Sequence, residues 1–210
     1  GLLRIHASVA FARYVLARLV ADFVRLHPRV QIDFVTADHA IDLVEEAVDL
    51  SFVTGPFREG SHSSRLVGRF ERIVVAAPDF LARTGPVADP TALAALACII
   101  TSYEQAAQRW RLSAGARTEE VVVAGPVKAS SGGIAHELAL AGLGVALVPD
   151  YLVSRDLQSG RLVRLLPEWK GEAEEARAIW TGGRRLSFKA EALIGFIAER
   201  LAGHPDAAGL

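Results

Sequence analysis

The sequence predicts an α/β fold of two lobes, each built on a largely parallel sheet, with the chain crossing between them twice. Three observations carry this. Strand and helix patterns alternate over the first 54 residues, an order that implies right-handed crossovers and a parallel sheet. Val145-Ala146-Leu147-Val148 is apolar throughout, so a strand there needs cover on both faces. The last amphipathic stretch, 188–201, needs a surface for its stripe, and the first sheet offers one. Crossovers at about 71–77 and 175–181 then form a hinge, and the central cleft between the lobes becomes a ligand site. The expected lobes are 1–74 with 178–204, and 75–177, followed by a disordered tail at 205–210.

Each element has a local reason. Residues 2–7 alternate, with Leu3 and Ile5 apolar, as a short strand. A helix follows, with Phe11, Val15, Leu19 and Phe23 in a stripe widened by Leu16, Val20 and Val24. Pro28 ends it by pushing His27 out of the helical region. Val30, Ile32 and Phe34 alternate with Gln31 and Asp33 as the second strand. Ile41, Leu43, Val44, Ala47 and Val48 predict another helix, before a third strand at 49–54. After a polar loop at 55–64, the extended segment 66–77 crosses to the second lobe.

In that lobe Pro78-Asp79 opens a helix, and Asp89 caps a second one with Pro90 at its first position. Strands at 98–101 and 127–129 flank an extended pair around Trp110-Arg111-Leu112 and 120–123. A helix at about 132–141 feeds the buried strand, with Gly142 as its left-handed stop and Gly144 allowing close packing. Pro149 ends that strand. Residues 162–166 and 176–181 are extended again, and Ser187 caps the final helix, which Gly203 stops.

Composition narrows the function. The chain is 51% hydrophobic and 22% charged, with 23 basic against 24 acidic side chains, an ordinary globular balance. Its net charge of −1 argues against this segment gripping nucleic acid by itself. Cys98 is the single cysteine; its apolar surroundings predict an inert buried thiol in a reducing compartment. No run approaches the ~20 apolar residues of a membrane span, and no basic-then-apolar signal opens the chain. Beginning at Gly1 without any methionine, the sequence reads as a domain excised from a longer protein.

The run Ala141-Gly142-Leu143-Gly144-Val145-Ala146-Leu147-Val148-Pro149 resembles the A-G-x-G-ϕ-A-x-ϕ-P signature of LysR-type transcriptional regulators. Leu3-Arg4-Ile5-His6-Ala7 is similar to the start of that family's effector-binding domain. Phe23-Val24-Arg25-Leu26-His27-Pro28-Arg29-Val30 is similar to its F-x-x-x-[HY]-P-x-V. Asp49-Leu50 and Val74-Val75-Ala76-Ala77-Pro78-Asp79-Phe80-Leu81 follow in the family's order, as do 159–167 and Arg185-Leu186-Ser187. The resemblance covers nearly the whole chain. It implies the type 2 periplasmic-binding-protein fold, two Rossmann-like lobes with lobe one closed by the C-terminal helix. It implies a cytoplasmic domain that senses a small molecule and re-angles a homodimer or homotetramer bound to DNA. An N-terminal winged helix-turn-helix, absent from this segment, would do the DNA reading. The chain departs from the family at Ala129, where a polar residue is usual, and in lacking an arginine after the third strand. The alternative is an extracytoplasmic solute-binding protein of the same fold.

Ligand residues are expected beyond the carboxyl ends of the strands, where parallel sheets carry their functional loops. Ser8, Thr36, Thr54, Thr101, Ser102, Ser131 and Gly132 occupy those loops. Several lead into helix N-termini, whose free N–H groups suit a carboxylate. Capping alone accounts for any one of the hydroxyls; the set favours a cleft. Trp110 and Tyr103 can line it beside an aromatic ligand, or Trp110 can be half-buried packing. His6 reads as a core or lobe-facing histidine. The six histidines form no metal-ligand spacing, and His136-Glu137 lacks the second histidine of a zinc protease motif. No nucleophile elbow, cofactor fingerprint or base for Cys98 supports an enzyme.

The first helix also carries apolar residues beyond one face. Tyr14, Val15, Leu16, Leu19, Val20 and Phe23 are therefore candidates for a dimer contact, which the resemblance places against Ile134 and Leu138 of a neighbour. A helix doubly covered inside its own lobe explains the same pattern.

Overall fold

The computed structural model describes residues 1–55, 62–101, 108–183 and 185–202. In chain order its strands are β1 (Leu2–Ala7), β2 (Gln31–Thr36), β3 (Leu50–Thr54), β4 (His62–Phe70), β5 (Arg72–Ala76) and β6 (Ala97–Thr101). They continue as β7 (Arg109–Ala114), β8 (Arg117–Val122), β9 (Ala124–Ala129), β10 (Val145–Pro149), β11 (Val163–Leu165) and β12 (Glu174–Thr181). Helix α1 runs without a break as Val9–Phe11, Ala12–Leu16 and Ala17–Leu26, its middle stretch wound as a π turn. The others are α2 (Pro78–Thr84), α3 (Gly132–Leu140), α4 (Asp150–Ser159) and α5 (Phe188–Ala202), with a 3-10 helix at Pro90–Ala95. The chain divides into two compact units, Gly1–Phe70 together with the chain from Glu174 onward, and Glu71–Ala173.

The first unit holds a five-stranded sheet in the order β2-β1-β3-β12-β4. β1 pairs in parallel with β2 and β3, whereas the returning β12 lies antiparallel between β3 and β4. Leu3, Ile5, Leu50 and Phe52 are fully buried. Helix α5 packs on β4 and α1, with the Phe23 and Phe196 rings 5.6 Å apart. Phe11 meets Phe70 edge-on at 5.7 Å. His6 and Ser51, neighbours in register, are buried beside each other, with a 2.8 Å hydrogen bond between Nδ1 and Oγ. Burial holds His6 below the ordinary histidine range, against a smaller upward pull from the Ala37 carbonyl.

The second unit holds a sheet in the order β11-β5-β10-β6-β9. β10 is its centre, parallel to β6 and antiparallel to β5, and every one of its five residues is buried. Gly142 ends α3 with φ 72°, the left-handed stop. Gly144 has a different reason: a Cβ there would lie 2.4 Å from the Ala97 carbonyl oxygen, so only glycine lets β10 start beside β6. The β7–β8 hairpin closes over this core with Leu112 fully buried.

Three expectations are corrected. Residues 41–48 form no helix. The Asp42 carboxylate accepts the amides of Val44 and Glu45, Ala47 takes φ 51°, and the chain leaves after one turn anchored by buried Leu43 and Val48. Val44, counted toward that helix, is 69% exposed. Trp110 is not half-buried but packed, 4% exposed, inside the hydrophobic cluster of the second unit. Helix α4 was not expected: Pro149 does not merely end the strand but opens a helix, which Gly160 stops at φ 74°. Gly203 and the tail lie outside the described residues, as do Pro56, Ser102 and Tyr103.

Replacing Gly144 with Ala should destabilise the chain by about 2–3 kcal/mol, because backbone must move to admit the methyl group. The same change at Gly160, where nothing lies within 4 Å, should cost only the left-handed strain, about 1–2 kcal/mol; urea unfolding compares them. His6 is proton-poor when folded, so its contribution is complete above 6.5 and is lost as pH falls through its lowered folded value. Thermal unfolding from pH 7 to 5 should show a shallower loss in His6→Gln than in the parent.

Candidate functional site

Strand register gathers the candidate residues at one edge of each sheet. In the first unit Ala7 pairs with both Thr36 and Phe52, so Ser8, Thr36 and Thr54 stand at the carboxyl ends of β1, β2 and β3. In the second, Thr101 pairs with Ala129, which places Thr101 beside Ser130, Ser131 and Gly132. Ser102, adjacent in sequence, lies outside the described residues.

These two edges differ in charge. At α1 the Val9 amide already donates to a carboxylate of this chain, Asp38 Oδ1, at 2.9 Å. Asp89 likewise accepts the amides of Thr91 and Ala92 at the 3-10 helix. Helices α2, α4 and α5 carry Asp79, Asp150 and Glu191 in their first turns, and Ser187 Oγ accepts the Ala190 amide of α5 at 3.4 Å. Among the described helices α3 is the exception. Its first turn contains no acid, and its N-cap Ser131 makes no side-chain capping bond. The Ser131 residue is 8% exposed, and among the described residues its hydroxyl makes no capping bond. Gly132 and Gly133 follow it and bring no side chain over the amides.

Open amides at a helix start favour an anion through directed N–H groups and the positive end of the helix dipole. The contribution of directed amides is visible within this chain, at a turn and at a helix start. The Glu45 and Val44 amides hold the Asp42 carboxyl below the ordinary carboxylate range. Asp89 is lowered too, first by the Thr91 hydroxyl and further by the Ala92 and Thr91 amides. The α3 edge offers the same chemistry without an internal acid to use it.

Sequence reasoning missed Asp38, which it read only as part of a loop, and so did not separate the self-capped edge from the open one. It also missed the pairing of His136 with Asp156, whose twenty-residue separation gives no local signal. Cys98 is buried, and burial pushes its thiol up to about 12. Among the described residues there is no group of three side chains suited to a metal.

The dimer candidates also separate. Val15, Leu16 and Phe23 are fully buried and Leu19 is 4% exposed, all within their own unit, so they have no surface left for a partner. The doubly covered reading holds for them. Tyr14 and Leu138 are half-buried, Val20 lies at the border, and Ile134 is 53% exposed. What remains open on α1 is a groove against the edge strand β2, lined by Ala17, Val20, Val24, Pro28, Ile32 and Phe34 among others.

A family model, the LysR substrate binding domain, matches residues 1–202. The HTH-type transcriptional regulator PtxR of Pseudomonas aeruginosa is 32% identical over 206 residues, covering 98% of this chain and 66% of PtxR. The HTH-type transcriptional regulator DmlR of Escherichia coli is 31% identical over 97% of this chain and 66% of its own length. The chain thus spans about 66% of the length of these curated relatives. Of solved structures, the CrgA regulatory domain of Neisseria meningitidis matches with a TM-score of 0.83 at 24% identity, covering 96% of this chain and 98% of that one. Full-length AphB of Vibrio cholerae, a virulence activator, gives 0.77 at 23%, covering 95% of this chain and 68% of that one. These relatives are regulators, which favours that reading over a transporter's solute-binding protein. With two sheets of the expected kind and a family match over nearly its full length, the chain belongs to the LysR family as a substrate-binding domain.

Proposed function

We propose that this domain senses a small carboxylate-bearing metabolite through the open N-terminus of α3. The observation that carries the reading is the contrast among helix starts: α3 alone, of those described, has no acid at its N-terminus and has an N-cap hydroxyl, Ser131, that makes no capping bond. The Gly132 and Gly133 amides and the Ser131 hydroxyl would hold the carboxylate, with Thr101 beside them on the neighbouring strand. Ser8, Thr36 and Thr54 are not anion donors in this reading, because Asp38 already supplies the negative charge at their edge. The relatives' length beyond this chain supports a longer protein in which an N-terminal winged helix-turn-helix reads DNA and the bound metabolite alters transcription in the cytoplasm. A ligand achieves that only by favouring one arrangement of the protein over another.

Self-association uses the α1–β2 groove in this proposal. β2 is an edge strand whose Ile32, Phe34 and Val35 are half-buried, and a second copy would cover both its unpaired backbone and the groove. Ile134, exposed on α3, is the complementary candidate on the neighbour.

A thermal-shift panel of small mono- and dicarboxylates should give a stabilising hit, worth about 2.7 kcal/mol at a hundredfold excess over Kd. Ser131→Ala and Thr101→Ala should weaken it. Ser131→Asp should abolish it while raising the stability of the free protein by about 0.5–1 kcal/mol, since the new carboxylate caps α3 itself. Unchanged binding in Ser131→Asp would move the anion away from α3. In sedimentation, Val24→Glu should weaken dimerisation tenfold or more; a parent that stays monomeric at high concentration would remove the groove from the proposal.

A further inference from the structure

The buried face of α3 raises a mechanical problem. Its fully buried residues are Ala135, His136 and Ala139. The two alanines have no side chain long enough to interdigitate, and Leu138 and Leu140 are only half-buried, so the packed face by itself gives the helix little angular definition. His136 is the one long side chain in that set. Its Nε2 donates to Asp156 Oδ2 of α4 at 2.5 Å, and both side chains are 4% exposed. The other Asp156 oxygen pairs with the Arg161 guanidinium, which is 66% exposed. Asp156 is itself fixed, its backbone carbonyl accepting Ser159 Oγ at 3.3 Å and the Leu162 amide at 3.2 Å. Near the start of α3, a Cβ on Gly132 would stand 3.0 Å from Leu152 Cδ1, so α4 also limits how the helix start can sit.

We propose that His136, Asp156 and Arg161 form a latch that sets the rotation of α3, which makes His136 a positioning residue for the ligand amides. The inference rests on the reading of the α3 N-terminus as the anion site, and adds what holds that site in aim. Stability alone does not require the latch. A buried hydrogen-bonded polar pair gives up the hydration of both groups, and an apolar pair of similar volume is often neutral or stabilising in its place. What an apolar pair lacks is direction. A hydrogen-bonded pair fixes the azimuth of the helix, and misaimed amides lose the anion even when the fold is intact.

The test compares the 210-residue chain with three variants: His136→Leu, His136→Gln, and the double change His136→Leu with Asp156→Leu. Two readouts are taken, affinity for acetate and for succinate by calorimetry, and amide hydrogen exchange without ligand of Ala135, whose N–H bonds Ser131 O, and of the helical amides that follow it in α3. The double variant should keep or raise the melting temperature while its α3 amides exchange at least tenfold faster and carboxylate affinity falls at least tenfold. His136→Gln, which keeps a donor toward Asp156, should hold affinity within about threefold of the parent. His136→Leu alone should lose affinity and also stability, because Asp156 then keeps only its exposed partner. Unchanged α3 exchange in a folded double variant overturns the latch, whatever the ligand does. Faster exchange with undiminished affinity overturns it as well, since the aim of the amides would then be irrelevant. If the parent binds neither acid, the anion reading fails by itself, and the exchange result still decides the latch.

Discussion

Strand β10 has no exposed residue, and the second unit is organised by that requirement. A five-residue stretch buried on both faces and both edges must find two strand neighbours and cover above and below, and β5, β6, α3 and the hairpin side of the core supply them. The close start of β10 beside β6 demands Gly144, and the turn into it demands Gly142. Because α3 feeds β10 through that turn, the same constraint fixes where the carboxyl end of α3 lies. The position of its N-terminus then follows from the length of one short helix, and Thr101 arrives beside it through the pairing of β6 with β9.

Helix starts in this chain are mostly satisfied from within. Asp38, Asp89 and Ser187 accept amides at three of them, and Asp79 and Asp150 stand in the first turns of two more. The distribution of these groups decides the chemistry of the two sheet edges. The first unit presents a carboxylate where the second presents unused donors. An account by fold alone would treat the edges as equivalent; the difference lies in side chains placed by loops.

Periodicity was enough to place most strands, since alternation and apolar runs report the environment of single residues directly. It was enough too for the final helix, whose stripe had one large surface to meet. It failed where a local signal competed with the pattern. At 41–48 the helical spacing is real, but Asp42 captures two amides and Ala47 turns the chain, so only one turn forms. At Pro149 the proline was read as an end, although proline beside a first-turn acid and a glycine eleven residues on also describes a helix, which is α4. For the site, hydroxyls at strand ends were legible because sheet topology alone locates them. The self-capping by Asp38 and the His136–Asp156 pair were not, because each joins segments far apart in sequence. The apolar excess on α1 was legible as an excess, but sequence could not tell a partner from the unit's own second layer, and for Val15, Leu16, Leu19 and Phe23 the second layer covers them.

The sulfur content of the chain bears on the kind of signal it can read. It contains no methionine and a single cysteine, and that thiol is enclosed and pushed up to about 12. Peroxides attack the thiolate, which is scarce at neutral pH when the thiol is so weakly acidic. This segment therefore offers sulfur-directed oxidants little to mark. In the proposed reading, the signal it carries is reversible occupancy by a small molecule.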